Sequence, residues 1–290
     1  MPGASRTGGS SIRRSMAGLL SVVATPIGNL DDLSPRAVRA LESADLIACE
    51  DTRVTRKLLT RVNSRARLIP YHARNERART PELVRRIAAG DHVSLVTDAG
   101  TPGVSDPGHR LVSACVEAGL RIEVVPGPSA SLAALALSGL PSARFVFEGF
   151  LPRTATQRRR RLREIASEQR TIVLFESPHR LASSLEDVLK ALGDRRAALA
   201  REMTKMHEEV IRGTLSELID AVGDGVRGEV TLVIEGAQAQ QIERSPEEIA
   251  ERLRALLDGG LTKKDAIARV ATELELPKRE VYEVAVAEGL

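Results

Sequence analysis

The fold is decided by the stretch Leu95-Val96-Thr97-Asp98-Ala99-Gly100-Thr101-Pro102-Gly103-Val104-Ser105-Asp106-Pro107-Gly108. Its apolar start is typical of the end of a buried strand, and its glycines and prolines predict a tight turn. Asp106-Pro107 predicts a helix start, because an aspartate caps free backbone N–H groups and proline at the first helical position gives up a donor that lacks a partner anyway. Glycine in such a turn lets the backbone approach a ligand closely. The stretch also fits a plain strand-to-helix connection, so the rest of the chain has to decide.

Strands and helices alternate through the first half of the chain. Near-continuous apolar runs predict strands at residues 19–25, 46–49, 67–71, 92–97 and 121–125. Helices are predicted to begin at Ser34, Thr80, Asp106 and Ala130. This alternation predicts an α/β fold, a parallel sheet with helices on both faces and ligands at the carboxyl ends of the strands.

The second half has fewer long helices between its strands, which favours a mixed sheet. Strands are predicted at residues 145–150, 171–175, 197–200, 209–212 and 229–235, and a linker at 236–243. Beyond the linker, Ser245, Thr262 and Pro277 bound three short helices. These helices resemble a helix-turn-helix unit, or a plain helical cap on the larger domain. The expected domains are residues 17–128, 129–237 and 243–290, after a flexible extension at 1–16.

Composition narrows the classes of function. The net charge of +3 is mild, but the arginines are clustered, which favours a polyanionic partner. Aromatic residues are only 2% of the chain, which disfavours base-stacking platforms, so an RNA contact would rest on phosphates and shape. Cys49 and Cys115 have no metal or disulfide spacing, and the five histidines form no ligand motif. We therefore expect no metal and a reducing, cytoplasmic location.

The N-terminus superficially resembles a twin-arginine export signal at residues 11–24. The apolar run is short, however, and continues into Thr25-Pro26-Ile27-Gly28-Asn29, which is typical of a strand and its following turn. We therefore expect no export, with Met16 as a candidate alternative start. No run reaches the roughly 18 apolar residues of a membrane span.

Three common ligand motifs are absent from the sequence. There is no GxGxxG after the first strand, no GxxxxGK[ST] phosphate loop and no GxSxG nucleophile elbow. What remains is a set of glycine- and proline-rich turns at strand ends. Composition and periodicity alone therefore predict an α/β protein with a ligand cleft lined by backbone.

Seven ordered motifs resemble those of one family, the ribosomal RNA small-subunit cytidine 2′-O-methyltransferases of the tetrapyrrole methylase superfamily. They are ATPIGNL at 24–30, CEDTR at 49–53, TDAGTPGVSDPG at 97–108, VPGPS at 125–129, EGFLP at 148–152, FESPHR at 175–180 and REMTK at 201–205. The resemblance covers about residues 19–290. It implies two α/β domains with S-adenosylmethionine in the cleft between them, a small helix-turn-helix-like domain, and 2′-O-methylation of a cytidine in the decoding region of 16S ribosomal RNA.

The resemblance also implies the cofactor contacts, residue by residue. They are Pro26, Gly100, Thr101, Val104, Ser129, Ala130, Phe175, Ala200 and Val230. Thr101 stands where the superfamily carries an acid, so the hydrogen-bond pattern there is expected to differ. Phe175, Ala200 and Val230 equally fit a role in the core.

Methyl transfer requires the protein to align the acceptor hydroxyl, exclude water and accept a proton late in the displacement. Lys205, Glu176 and Asp51 are the candidate bases, because each lies in a family motif at a predicted strand end. Lys205 ranks first, since burial can lower the pKa of a lysine enough to make it a base. A surface salt bridge is the competing role for each.

Basic residues are expected to bind RNA phosphates. They are Arg53, Arg56, Lys57, Arg158, Arg159, Arg160, Arg161, Lys278 and Arg279. The arginine run at 158–161 also fits a solvated helix face. The resemblance further implies a homodimer, with the small-residue helix 130–137 as a candidate contact.

Two rival functions remain. One is C-methylation of a tetrapyrrole precursor, and the other is a cofactor-binding ribosome-assembly factor without catalysis. The arginine run, the C-terminal helices and the motif Glu50-Asp51-Thr52-Arg53 disfavour the first, because an acidic pigment needs none of them.

Overall fold

The computed structural model describes residues 18–223, 226, 228–238, 244–274 and 276–290. The chain forms two compact units, one ending at Ala237 and the other beginning at Gln238. The predicted N-terminal extension, the alternative start at Met16 and part of the predicted linker lie outside the described residues.

A five-stranded parallel sheet forms the first half of the larger unit, as the alternation predicts. Its strand order is β3-β2-β4-β1-β5. The strands are β1 (Leu19–Val23), β2 (Leu46–Cys49), β3 (Arg67–Pro70), β4 (His92–Leu95) and β5 (Arg121–Val125). Because all five point the same way, the loops that follow them gather at one edge of the sheet.

Helices cover both faces of this first sheet. They are α1 (Pro35–Ser43), α2 (Thr52–Leu59), α3 (Glu76–Ala88) and α4 (His109–Glu117). Alternate strand residues enter two separate cores, with Leu46 in one and Ile47 in the other. Cys49 and Cys115 are fully buried on these opposite faces.

Two helix starts differ from the sequence prediction. Helix α3 begins at Glu76 rather than at Thr80, and Pro81 lies inside it. The Thr80 hydroxyl donates to the Glu76 carbonyl at 2.7 Å instead of capping a helix. Helix α4 begins at His109, with Gly108 at its N-cap, so Asp106 does not cap it. The chain between strand and helix is therefore longer than the local pattern predicts.

A mixed sheet forms the second half of the larger unit, as expected. Its order is β6-β7-β10-β8-β9, with β6 parallel to β7 and antiparallel pairing at the other three contacts. The strands are β6 (Phe145–Phe150), β7 (Thr171–Glu176), β8 (Arg196–Arg201), β9 (Glu209–Thr214) and β10 (Val230–Ile234). Since β10 runs opposite to β7 and β8, its beginning lies beside their ends.

Four helices accompany the second sheet: α5 (Ala130–Ser138), α6 (Ala155–Glu164), α7 (Leu181–Leu192) and α8 (Leu215–Val222). Helix α5 packs on one face through Ala134 and Leu135. Its residues Leu132 and Leu137 stay exposed. The homodimer expected from the sequence stays a prediction.

The smaller unit consists of three helices: α9 (Pro246–Asp258), α10 (Lys263–Glu273) and α11 (Lys278–Ala287). Ser245 and Thr262 cap the first two, each hydroxyl accepting a backbone N–H at 3.2 Å. These caps and the three-helix pattern are confirmed. Apolar residues at helical spacing, such as Ile249, Leu253 and Val270, form the core of this unit.

One buried ion pair ties α6 to α7. Asp187 accepts from the Arg158 Nε and the Arg159 Nε, each at 2.8 Å, and the Arg158 and Asp187 side chains are only 6% and 3% exposed. Burial alone would raise the pKa of Asp187, but the hydrogen bonds from Arg159 and Arg158 outweigh it and lower the pKa. The pair therefore stabilises the fold above the unfolded pKa of aspartate, about 3.9, and loses this contribution as the pH falls further.

We expect Asp187→Ala to lower the free energy of unfolding by about 3–5 kcal/mol, because it leaves the buried Arg158 guanidinium without a counter-charge. Arg159→Ala is the matched control, since Arg159 is 58% exposed and its loss leaves the buried pair intact; its effect should stay below about 1 kcal/mol. Thermal denaturation at pH 7 measures both. Equal melting temperatures for the two variants would contradict the assignment.

Candidate active site

A cavity of about 370 Å³ lies between the two sheets of the larger unit. We name it the central cavity. Its walls are the β4–α4 loop, the start of α5, the ends of β6 and β7 and the start of β10, together with Ile27 and Glu50. The lining residues are Ile27, Glu50, Thr97–Thr101, Val104–Asp106, Ser129–Ser131, Phe150, Phe175–Pro178 and Glu229–Thr231.

The β4–α4 loop is fixed to the first strand by backbone hydrogen bonds. The Thr25 N–H donates to the Gly100 carbonyl at 2.9 Å, and the Gly100 N–H donates to the Thr25 carbonyl at 3.1 Å. Gly100 has φ +81°, a backbone conformation that favours glycine. This pairing holds the turn at the wall of the central cavity.

The same loop touches the second sheet at one point. Gly149 lies at a β-bulge in β6 and has φ +64°. A Cβ placed on Gly149 would lie 2.6 Å from the Ser105 hydroxyl oxygen. Ser105 itself has φ +62°, which is uncommon for a residue with a side chain. The absence of a side chain at position 149 therefore sets how closely the two sheets approach beside the cavity.

Aromatic rings form part of the wall on the side of the second sheet. Phe175 packs against Phe147 with ring centroids 4.9 Å apart and against Phe150 at 5.5 Å. Phe150 remains 57% exposed although it is large and apolar. An apolar surface of this kind suits the flat face of a ligand ring.

Most of the predicted cofactor residues meet at the central cavity. Those that line it are Gly100, Thr101, Val104, Ser129, Ala130, Phe175 and Val230. Ala200 is buried in β8 opposite Thr231 of β10 and does not line the cavity. Pro26 lines a neighbouring cavity of about 360 Å³, together with Lys57 and Lys205.

The expectation that burial lowers the pKa of Lys205 is wrong. Its ammonium group lies 2.9 Å from Glu202 Oε1 and 3.4 Å from Glu229 Oε2. Burial alone would lower the pKa, but the hydrogen bond to Glu202 and the negative charge of Glu229 outweigh it and raise the pKa. Lys205 therefore stays protonated, which disfavours it as a base.

Glu176 and Asp51 are also engaged by protein groups. The buried Glu176 carboxylate accepts from the Ser177 N–H at 2.7 Å, from the Ser184 hydroxyl at 2.6 Å and from the Arg180 Nε at 2.8 Å. Asp51 is the N-cap of α2, and side-chain and backbone hydrogen bonds from Arg53 lower its pKa to about 2. Both carboxylates therefore act as anchors of local structure.

Asp106 is a candidate that the sequence reasoning missed. It lies half-buried on the wall of the central cavity. Burial and the nearby charges of Glu50, Asp98 and Glu229 raise its pKa to about 6, although a hydrogen bond with Thr97 opposes the rise. The sequence signal is an aspartate before a proline, which predicts that the Asp106 side chain caps a helix and gives no reason to expect a role at a ligand site.

The predicted RNA-binding residues fall into three groups. Arg158 is buried against Asp187 and is not accessible to a phosphate, so the prediction that it binds RNA is wrong. Others are exposed arginines that pair with acids: Arg53 with Asp51, Arg159 with Asp187, Arg160 with Glu164, Arg161 with Glu148, and Arg279 with Glu283. Arg56, Lys57 and Lys278 are exposed and have no ion-pair partner among the described residues.

Two further observations concern the described residues as a whole. Within them, no helix is both long and apolar enough to cross a membrane. They also contain no group of three or more His, Cys, Asp or Glu side chains arranged to hold a metal ion.

Comparisons with known proteins agree with this architecture. The family model described as tetrapyrrole (corrin/porphyrin) methylases matches residues 19–219. The solved structure of uroporphyrin-III-C-methyltransferase from Thermus thermophilus has the same fold, with a TM-score of 0.52 and 24% identity over 75% of this chain and 94% of that one.

Two curated relatives are much more similar in sequence. Both carry the name ribosomal RNA small subunit methyltransferase I. The protein from Synechocystis sp. is 46% identical over 271 residues, which is 92% of this chain and 97% of the relative. The protein from Halalkalibacterium halodurans is 40% identical over 280 residues, or 94% and 96% of the two chains. With a family model over most of its length and such relatives over nearly all of it, this chain belongs to the tetrapyrrole (corrin/porphyrin) methylase family, in the branch named ribosomal RNA small subunit methyltransferase I.

Proposed function

We propose that this chain transfers a methyl group from S-adenosylmethionine to the 2′-hydroxyl of a cytidine in the decoding region of small-subunit ribosomal RNA. The names of its relatives support an rRNA methyltransferase. The observation that carries the proposal is the central cavity, where seven of the nine predicted cofactor residues meet. Its volume of about 370 Å³ lies within the ordinary range of small-ligand pockets, about 300–1,000 Å³.

The chemistry of the central cavity suits a cationic nucleoside. Thr101 and the hydroxyls of Ser129 and Ser131 line the cavity and offer hydrogen-bond partners, and Phe175 offers an apolar wall. The carboxylates of Glu50, Asp98 and Asp106 give this side of the cavity a negative potential, which favours a positively charged ligand. When bound there, S-adenosylmethionine would supply an electrophilic methyl group.

The protein's contribution to such a reaction is mainly positioning. The paired backbone of Thr25 and Gly100 holds one wall of the central cavity, and the contact between Ser105 and Gly149 holds the opposite sheet close. Fixed walls of this kind align reactants and exclude water, which can contribute about 7 kcal/mol or more to lowering a barrier.

Methyl-labelled S-adenosylmethionine should test the function most directly. We expect label on a cytidine ribose of 16S rRNA when the protein is incubated with small ribosomal subunits, and none on tetrapyrroles. Nuclease digestion and mass spectrometry of the nucleosides locate the label. Label on a pigment would favour the tetrapyrrole alternative, and no label on any acceptor would favour a non-catalytic assembly factor.

Gly149→Ala should weaken donor binding by up to about tenfold, because the new methyl group would lie 2.6 Å from the Ser105 hydroxyl oxygen and force that side chain to rotate at the cavity wall. Gly139→Ala is the matched control: Gly139 also has a positive φ of +73°, but nothing lies within 4 Å of the added Cβ. Both variants should lose similar stability, about 1 kcal/mol, from backbone strain. Isothermal titration with S-adenosylmethionine measures the affinity. Equal affinities for the two variants would show that the close approach does not shape the site.

Arg56 and Lys57 of α2, which are exposed and have no ion-pair partner in the described part of the chain, are the favoured RNA contacts. The double variant Arg56→Ala/Lys57→Ala should bind 16S rRNA more weakly and reduce the slope of log affinity against log salt by about 1.5, because two phosphates would no longer be neutralised. The control is Arg170→Ala, an exposed arginine paired with Glu168 just before β7, at the opposite end of that strand from the cavity. Filter binding across a salt series gives both slopes, and an unchanged slope in the double variant would refute the contact.

A further inference from the structure

A second cavity adjoins the central cavity. It has a volume of about 710 Å³ and lies between the β4–α4 loop and helices α3 and α4. We name it the lateral cavity. Its wall shares Glu50, Ser105 and Asp106 with the central cavity. These side chains can therefore contact two ligands at once, one from each side.

Asp106 is one of the two acids on the shared wall, the other being Glu50. None of the ion pairs in the described ranges includes it. It shares the hydroxyl of Thr97 with Glu50, whose Oε2 lies 3.2 Å from the Thr97 Oγ1. A threonine hydroxyl carries a single proton and can donate it to only one acceptor at a time. When Thr97 donates to one of the two carboxylates, Glu50 or Asp106, the other can accept a proton from a ligand.

The other acids near the cavity are held elsewhere. Asp98 accepts the Asp51 backbone N–H at 3.1 Å, and Glu229 faces Lys205. Glu176 is tied to Arg180, as described above. The charges of Glu50, Asp98 and Glu229 act on Asp106 from positions just after β2, after β4 and before β10. Together with burial, the charges of Glu50, Asp98 and Glu229 hold the pKa of Asp106 at about 6, in the range where a carboxylate is a useful base near neutral pH.

The wall of the lateral cavity also carries cations. Arg77 of α3 is exposed and has no ion-pair partner among the described residues. Arg110 of α4 is only loosely paired, with 3.7 Å between its Nε and the Glu76 Oε1. His109 lies beside it on the cavity wall. A wall that carries both cations and a proton acceptor matches a ribonucleotide, which has a phosphate and a ribose hydroxyl.

We propose that the acceptor nucleotide occupies the lateral cavity and that Asp106, on the shared wall, is the general base for its ribose hydroxyl. This inference rests on the proposed function and adds where the acceptor enters and which group takes its proton. The acceptor oxygen forms a bond to the donor's methyl carbon as the bond between that carbon and the sulfonium sulfur breaks. The electron pair of the broken bond stays on sulfur, and the hydroxyl proton passes to the Asp106 carboxylate and then to water.

Asp106→Asn should lower kcat at least about 100-fold, because the amide cannot accept the proton. The affinity for S-adenosylmethionine should fall far less than kcat does, because Glu50 and Asp98 keep their carboxylates on the same cavity wall. In the wild-type protein, kcat/KM should fall tenfold per pH unit below about pH 6 and level off above it, because only the deprotonated carboxylate of the free protein acts as base. Asp106→Asn should lose this limb, and Asp106→Glu should restore part of the rate together with the limb.

Glu50→Gln is the comparison that separates the two shared acids. Glu50 lines the same wall and bonds the same threonine. If Glu50→Gln abolishes the acidic limb while Asp106→Asn keeps it, the proposal is overturned. Melting temperatures of all variants identify any loss of rate that comes from unfolding, and in that case Asp106→Glu alone decides.

The lateral cavity has its own test. Arg77→Ala and Arg110→Ala should each raise the KM for small ribosomal subunits about tenfold with little change in kcat, because they hold the acceptor rather than the proton. Arg79→Ala is the matched control: it lies on the same helix, pairs with Glu82 at 2.9 Å and does not line the cavity. An unchanged KM in both cavity variants would place the acceptor elsewhere.

The results also distinguish this inference from the proposed function. Ribose methylation by the wild-type protein with a pH profile that Asp106→Asn leaves unchanged would overturn the inference and leave the function standing. A wild-type protein that labels no ribose would overturn both.

Discussion

Two backbone hydrogen bonds between Thr25 and Gly100 hold the β4–α4 loop against the segment that follows β1. They join the loop after β4 to the end of β1, at the edge of the sheet where all five strands finish. Because backbone groups make this contact, it leaves the side chains of the loop available to a ligand. Four residues of the loop line the central cavity: Thr101, Val104, Ser105 and Asp106. A turn fixed by its own side chains would have fewer groups left for a ligand.

The arrangement of β10 completes the cavity from the other side. This strand lies between β7 and β8 and runs opposite to both. Its first residue, Val230, is therefore the register partner of Glu176 at the end of β7. One end of the second sheet thus brings together residues that are far apart in sequence, and the β4–α4 loop closes over them.

Strands were predicted from the sequence with little error, because a buried parallel strand is an apolar run that short-range pattern reveals. The prediction of β2 agrees with the structure at both ends, and the mixed pairing of the second sheet was anticipated from its shorter connections. Helix starts were less predictable. Thr80 and Asp106 both precede proline, yet neither caps a helix. Gly108 packs closely on Gly103 within the same loop, since a Cβ at position 108 would lie 3.0 Å from the Gly103 N. This packing, and not the capping preference of Asp106, sets where α4 begins.

The residues of the candidate site also differ in how well the sequence predicts them. Residues that contribute backbone or small surfaces, such as Gly100 and Ser129, converge where the family resemblance implies, because they belong to turns at strand ends. Charged residues did not follow the prediction. The role of Lys205 depends on Glu202 and Glu229, and that of Arg158 on Asp187, which lies 29 residues away. Glu229 and Asp187 are distant in sequence from Lys205 and Arg158 and reach them only when the chain folds, so a linear pattern cannot reveal whether these charges are free.

Both cysteines are buried, so their reaction with a thiol reagent reports when the surrounding structure opens. Cys49 and Cys115 lie on opposite faces of the first sheet, and burial raises the pKa of each thiol, which keeps the reactive thiolate scarce. A thiol-alkylating reagent therefore reaches them only when that half of the larger unit opens. The second sheet and the C-terminal helices contain no cysteine and are silent to the reagent. The kinetics of alkylation thus isolate the opening of one half of the molecule without any engineered label.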